Sequence, residues 1–365
     1  MKKAFWWLAL LVFSFAAFAA PVRIIDMRSE AQGGLGMADS LGALSFYHNP
    51  ASLVFRESDS PFGLTATGLD SIDPEAFAAG DPNPLLCDPA VSGNVRFVGS
   101  NAALSITMTN LLYEKSISDD GSYGTYDALT AADLQLTAAY GWKNFAFGFT
   151  VNGGNCTERR NISIYDRSTF LDYIMETLFE RYHTKLGSEF VSLSLGTMAK
   201  FGNFSFGLTF DELTKMNDGQ SISFSLGAMM MTMNAGIHYS GSRYDSRTAG
   251  LLFVVPSFGI EVHNAFLDSS DDVVLPAASV KSRQSELCIG TEIRLQFAPD
   301  LSVSLLAGWR SGSFAGGFFG SSCQTFGLGM DTDVFRADLA VKMPVSVYSG
   351  TKAKVTASMG LDFFI

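Results

Sequence analysis

Residues 145–151 read Phe-Ala-Phe-Gly-Phe-Thr-Val, and residues 204–210 read Phe-Ser-Phe-Gly-Leu-Thr-Phe. Large apolar side chains recur at every second position, with small or polar residues between them. Successive side chains on a strand point to opposite faces, so each segment has one oily face and one small or polar face. The pattern repeats. In 289–297, Ile289, Ile293, Leu295 and Phe297 oppose Glu292, Arg294 and Gln296. In 335–342, Phe335, Ala337, Leu339 and Val341 oppose Arg336, Asp338, Ala340 and Lys342. A soluble sandwich shows the same local period. The segments here are long and their oily faces heavily aromatic, which favours strands that meet lipid.

Composition agrees. Hydrophobic residues are 47% and aromatics 13% of the chain, with 31 Phe and 35 Gly, yet only 17% of residues are charged. Beyond the N-terminal segment no apolar run is long enough for a membrane helix, so the apolar content is spread along strands rather than gathered into spans. The net charge is −11, and losing Lys2 and Lys3 with a leader makes it −13. An acidic chain without a basic cluster excludes nucleic acid as a partner.

The N-terminus reads as a signal peptide over 1–19. Lys2 and Lys3 precede an apolar run, and Ala17-Phe18-Ala19 offers a small-x-small cleavage site. Strands are expected near 61–69, 91–99, 102–113, 127–142, 144–152, 188–201, 203–212, 219–240, 249–262, 283–298, 301–311, 322–331, 334–343 and 353–365. Their connections alternate between long and short, the signature of an outer-membrane barrel with long outer loops, short periplasmic turns and both termini periplasmic. The fold class is therefore all-β: a transmembrane antiparallel β-barrel of about fourteen strands. That parity requires 219–240 to be one element, and a two-strand reading there would break it. At the C-terminus, Gly360, Phe363 and Ile365 follow Ser358 in a pattern resembling the signal read by the barrel-assembly machinery.

Ahead of the first strand lie Ala31-Gln32-Gly33-Gly34-Leu35-Gly36 and then Phe46-Tyr47-His48-Asn49-Pro50-Ala51-Ser52-Leu53. This arrangement resembles the N-terminal hatch of the FadL-type long-chain fatty-acid transporter family, in which an aromatic and an Asn-Pro-Ala triplet precede the barrel. The resemblance implies a plug over 20–56, a barrel over 57–365, and transport roles for Asn49, Pro50 and Ala51. It also implies passive uptake of a hydrophobic small molecule, such as a long-chain fatty acid, with lateral release into outer-membrane lipid. No basic residue matches a carboxylate site, so an interaction protein (a secretion-shuttle barrel, surface antigen or adhesin) stands as the alternative, with Phe314, Phe318 and Phe319 as candidate contacts. On the residues alone, Asn-Pro ends a short helix or starts a turn, and Gly33-Gly34-Leu35-Gly36 reads as flexible plug backbone.

One helix is expected, over 168–184 in the longest outer loop. Its face of Leu171, Ile174, Met175, Leu178 and Phe179 forms either a ligand groove or a lid. Cys87, Cys156, Cys288 and Cys323 lack metal-ligand spacing along the chain, so no metal site and no cofactor are expected, and disulfide pairing stays open. His48, His183, His238 and His263 are scattered, and no Gly-x-Ser-x-Gly or phosphate loop is present, so no catalytic residue is assigned and the chain does not read as an enzyme. The inward charges Glu292, Arg294, Arg336, Asp338 and Lys342 are expected to pair with one another and with the plug.

Overall fold

A computed structural model describes residues 26–39, 44–56, 61–72, 90–117, 124–164, 188–211, 232–246, 250–263, 286–311, 322–344 and 355–364. The signal peptide, the loop helix over 168–184, the first part of the 219–240 segment and Ile365 lie outside these residues.

The strands are β1 (Phe62–Ile72), β2 (Ala90–Val98), β3 (Ala102–Ile117), β4 (Gly124–Trp142), β5 (Phe145–Ile164), β6 (Ser188–Phe201) and β7 (Phe204–Asp211). They continue with β8 (Thr232–Ser240), β9 (Phe253–His263), β10 (Glu286–Ala298), β11 (Leu301–Arg310), β12 (Cys323–Thr332), β13 (Phe335–Pro344) and β14 (Val355–Phe364). Each is hydrogen-bonded antiparallel to its sequence neighbours, and β14 pairs with β1 from Gly63↔Phe364 to Ile72↔Val355, which closes a fourteen-stranded barrel. A two-residue strand, Tyr244–Asp245, pairs only with the start of β9.

Alternation sorts the faces as the sequence predicts. Phe147 is 55% exposed, whereas neighbouring Ala146 is 1% exposed, and Leu339 and Val341 face out while Arg336, Asp338 and Ala340 are buried. Closure leaves no free edge, so every backbone polar group of the wall can be satisfied within the sheet, as a membrane requires. The exposed residues Trp142, Phe145, Phe201 and Phe204 sit at the short-turn ends of β4 to β7, the interfacial level that aromatic girdles occupy. The result is a membrane-spanning barrel suited to the outer membrane.

Two expected loops are partly strand. β5 runs on to Ile164, and β4 begins at Gly124, with pairing that reaches Gly124↔Ile164. Gly153-Gly154-Asn155 interrupts the apolar period without interrupting the ladder, so the period alone does not mark the strand after 152. A membrane crossing needs only about 9–11 tilted residues, so β4 (19 residues) and β5 (20 residues) extend well beyond it.

Pro256 occupies a place in β9 that explains its tolerance. Pairing of β8 with β9 runs only from Ala235↔Val262 to Ser240↔Ser257, and the carbonyl of Pro256 accepts from Gly241 where the ladder ends. No ladder donor is needed there from residue 256.

Candidate functional site

The barrel encloses a plug made of α1 (Met27–Ala31), α2 (Ser45–His48) and a 3-10 turn (Pro50–Phe55). Asp26 caps α1, accepting from the backbone N–H groups of Arg28 and Ser29 at 3.1 and 3.4 Å. Gly33 and Gly34 stop the helix with φ of +75° and +98°, a region that favours glycine. Gly34 N–H donates back to the Ser29 carbonyl at 2.7 Å. The sequence alone suggests flexible backbone for this pair. It is a fixed C-terminal cap instead, since a β-carbon on Gly33 would also stand 2.8 Å from the Trp309 nitrogen.

The Asn-Pro-Ala triplet joins two short elements. Asn49 ends α2, its N–H donating to the Ser45 carbonyl, and begins the 3-10 turn by accepting from Ala51 N–H at 3.0 Å. Pro50 follows at the first helical position, where its missing donor costs nothing. The amide of Asn49 does more than cap. Its Nδ2 donates to the Met37 carbonyl at 2.8 Å and to the Thr197 carbonyl of β6 at 3.0 Å, and the residue is fully buried. Asn49 thus ties together the two halves of the plug and the wall.

The wall receives the plug on glycines. A β-carbon at Gly148 would stand 2.5 Å from the Pro50 carbonyl carbon, and one at Gly360 would stand 2.6 Å from Met27 Cγ. At Gly196 it would strike Asn49, at Gly207 the Met37 carbonyl, and at Gly290 and Gly308 the backbone of Gln32. These glycines occupy inward positions of different strands, so the plug backbone lies directly against the wall around most of the lumen.

Charges hold the rest. Arg28 of α1 pairs with Glu292 of β10, which also accepts from Ser304 at 2.7 Å and Gln32 at 3.3 Å. Burial works against the Arg28 charge, but Glu292 and Asp39 hold its pKa above the ordinary arginine value. Glu261 of β9 grips the following loop, accepting from Gly36 N–H at 3.0 Å and from Ala38 N–H at 3.1 Å. Asp26 meets His48 at 3.2 Å. Burial alone would raise the Asp26 carboxyl, yet the hydrogen bond and charge of His48 and the charge of Arg336 bring it below its usual value. Arg336 itself pairs with Asp338 at 3.0 Å and with Asp331 at 3.4 Å. The expected pairing of inward charges with each other and with the plug is therefore observed for Glu292, Arg294, Arg336 and Asp338.

A second anchor is apolar. Phe46 and Leu53 pack with Val98, Ala103 and Ala139 of β2 to β4, and Phe46 lies against Tyr47 with ring centroids 4.3 Å apart. Tyr47 accepts from Asn94 Nδ2 at 2.7 Å. Above and beside the plug, the described inward face is mainly hydroxyl and amide, with Thr107, Thr109, Gln135, Thr137 and Thr150 all buried.

Of the residues singled out in the sequence, Asn49, Pro50 and Ala51 come together at the plug–wall junction. Leu171, Ile174, Met175, Leu178 and Phe179 lie outside the described residues. Gly360 faces inward against the plug and Phe363 faces out at 44% exposure. Cys288 and Cys323 are buried free thiols, while nothing is described of the Cys87 and Cys156 side chains. Sequence reasoning missed Asp26, Arg28 and Glu261. It also missed the glycine seats, although glycine at inward positions of Phe-Gly-Phe and Phe-Gly-Leu strands carries that signal.

No protein-family model and no curated protein matches the chain. Solved structures do. The monoaromatic hydrocarbon channel CymD aligns over 95% of this chain and 99% of its own, at 10% identity and a TM-score of 0.53. The toluene transporter TbuX of Ralstonia pickettii aligns over 94% and 99%, at 12% identity and 0.52. The toluene transporter TodX of Pseudomonas putida aligns over 94% and 98%, at 13% identity and 0.50. The chain has the FadL-type fold. At these identities the likeness is one of architecture, and it spans nearly the whole of both chains.

Proposed function

We propose that this protein carries hydrophobic small molecules across the outer membrane, taking them up passively and without chemistry. The observation that carries the reading is the seated plug. Backbone pressed onto wall glycines, with Asn49 bonded to β6, seats the plug inside the lumen and argues against an open general porin. Solutes that use such a barrel must be captured on the outer side and leave by another route, and a hydrophobic solute is able to leave into lipid. The fold shared with hydrocarbon channels supports the same class of substrate.

A long-chain fatty acid is the specific ligand put forward. The long connections are assigned to the outside and both termini to the periplasm. Because the described inward face is mainly polar, apolar contacts to the ligand are assigned to the outer loops, including Leu171, Ile174, Met175, Leu178 and Phe179. Asn49, Pro50 and Ala51 are assigned to holding the plug. Gly360, Phe363 and Ile365 are assigned to recognition by the barrel-assembly machinery.

The test is uptake of labelled oleate by cells lacking their own outer-membrane fatty-acid transporter. Wild type should restore uptake. Asn49→Ala/Pro50→Ala, inserted to the same level, should lose most of it. Properly inserted wild type that restores no uptake refutes the fatty-acid reading and favours the interaction-protein alternative, for which a tightly locked plug would suffice.

A further inference from the structure

The last residue of β9 and the first of β10, His263 and Glu286, are direct cross-strand partners, and Cys288 pairs with Glu261 two positions deeper. All four side chains stand on the inward face at the end of the barrel that carries the long connections. One donor atom from each of His263, Glu286 and Cys288 lies within 4.8 Å of the other two. The spacing along the chain hides this set, because hydrogen bonding between β9 and β10 creates it.

We propose that His263, Glu286 and Cys288 bind a divalent ion of the zinc class, at the junction between wall and plug. An imidazole, a thiolate and a carboxylate make a three-ligand set that suits zinc, with a fourth position left to water.

The surroundings are those of a metal centre. His263 Nε2 lies 2.9 Å from Glu261 Oε2. With that nitrogen donating to the carboxylate, Nδ1 is the ring nitrogen left for a metal, and a carboxylate commonly orients a metal-binding histidine in this way. Glu261 is held in turn by Gly36 and Ala38 of the plug. Arg310 lies close but does not use up the donors. Its Nε and Nη2 both donate to Oε2 of Glu286, and Oε1 accepts from no described residue. Arg310 also stands 3.8 Å from Glu30 of the plug, so its charge is shared. Cys288 is 0% exposed, and a β-carbon on Gly34 would stand 3.3 Å from its sulfur. On binding, the thiol proton leaves to solvent as the metal–sulfur bond forms. The ion then joins β9, β10 and, through Glu261, the plug. Its role is to lock the plug at its outer edge, and it does not depend on which solute the barrel carries.

The test uses the full mature barrel in detergent, with any affinity tag removed, and cobalt as the probe. Wild type should bind a single equivalent of Co²⁺ with a thiolate-to-metal charge-transfer band and tetrahedral d–d bands, both displaced by Zn²⁺. Cys288→Ser should lose the charge-transfer band, and Cys323→Ser should keep it. Glu261→Gln should keep the band but weaken binding by about 10–100-fold. Zinc X-ray absorption on wild type reads the site without any variant: one sulfur at about 2.3 Å with nitrogen and oxygen at about 2.0–2.2 Å is expected. Folded wild type without a charge-transfer band, a zinc shell without sulfur, or a band that survives Cys288→Ser would each overturn the proposal.

Discussion

The two segments of the plug are held by different physics. The first, residues 26–39, docks on β7 and on β9 to β14, chiefly through charges and backbone groups: Arg28 to Glu292, Gly36 and Ala38 to Glu261, Ser205 to the Ala38 carbonyl, and Asp26 near Arg336. The second, residues 44–56, docks on β2 to β6 through Phe46, Leu53 and Ala51 against small wall residues. Ionic contacts are strong only while both partners are present, because one left behind is a buried charge without compensation. Apolar contacts fail when the wall gains volume, and Gly148 and Gly196 are the seats beneath the second segment. The segments should therefore detach under different insults.

Arg28→Met should have the largest effect, removing the plug's charge from Glu292, which keeps Arg294 at 3.6 Å, at a cost of about 3 kcal/mol. Amide hydrogen exchange should show residues 27–38 deprotected, with 45–55 little changed. Adding Glu292→Leu should recover part of the loss, and equal deprotection of both segments would break the comparison. Gly196→Leu is the complementary insult. Overfilling a packed seat costs about 3 kcal/mol, and here the added side chain strikes Asn49 and Pro50. Residues 45–55 should lose protection first. Gly93→Leu, at a position where nothing lies within 4 Å, should change neither segment.

Asn49→Ala should cost about 1–3 kcal/mol through lost hydrogen bonds to buried partners. Because Asn49 bonds both Met37 and Thr197, this variant should loosen the two segments together, which sharpens the claim that it couples them. The smallest effect is that of acid. The Asp26 carboxyl titrates below its ordinary value of 3.8, so its stabilisation is full above that value and is lost as pH falls through the lower folded one. Pepsin cleavage of the plug should rise in wild type only below about pH 3.8, and this step should be absent in Asp26→Asn.

Much of the wall was legible because a barrel repeats one rule. Alternation at Phe145, Phe147 and Phe149 fixes both the strand and its lipid face. The C-terminal strand and the loop parity follow from the same period. The extension of β5 to Ile164 was not legible, since Gly153 and Gly154 carry no side chain to mark a face. The plug was half legible. Asn49-Pro50 announced a junction between two short elements through its backbone preferences, and the structure has one there. What Asn49 bonds to depends on Thr197, far away in the chain, and no local pattern encodes that. The grouping of His263 with Glu286 and Cys288 depends in the same way on strand register.

The most direct test of the plugged barrel is its ion conductance in a planar lipid bilayer. Wild type should be silent, and Arg28→Met/Gly196→Leu, which attacks both segments at once, should open a steady current through the emptied lumen. A steady current through wild type of the size seen in the double variant would contradict the account, since the plug would then not close the barrel.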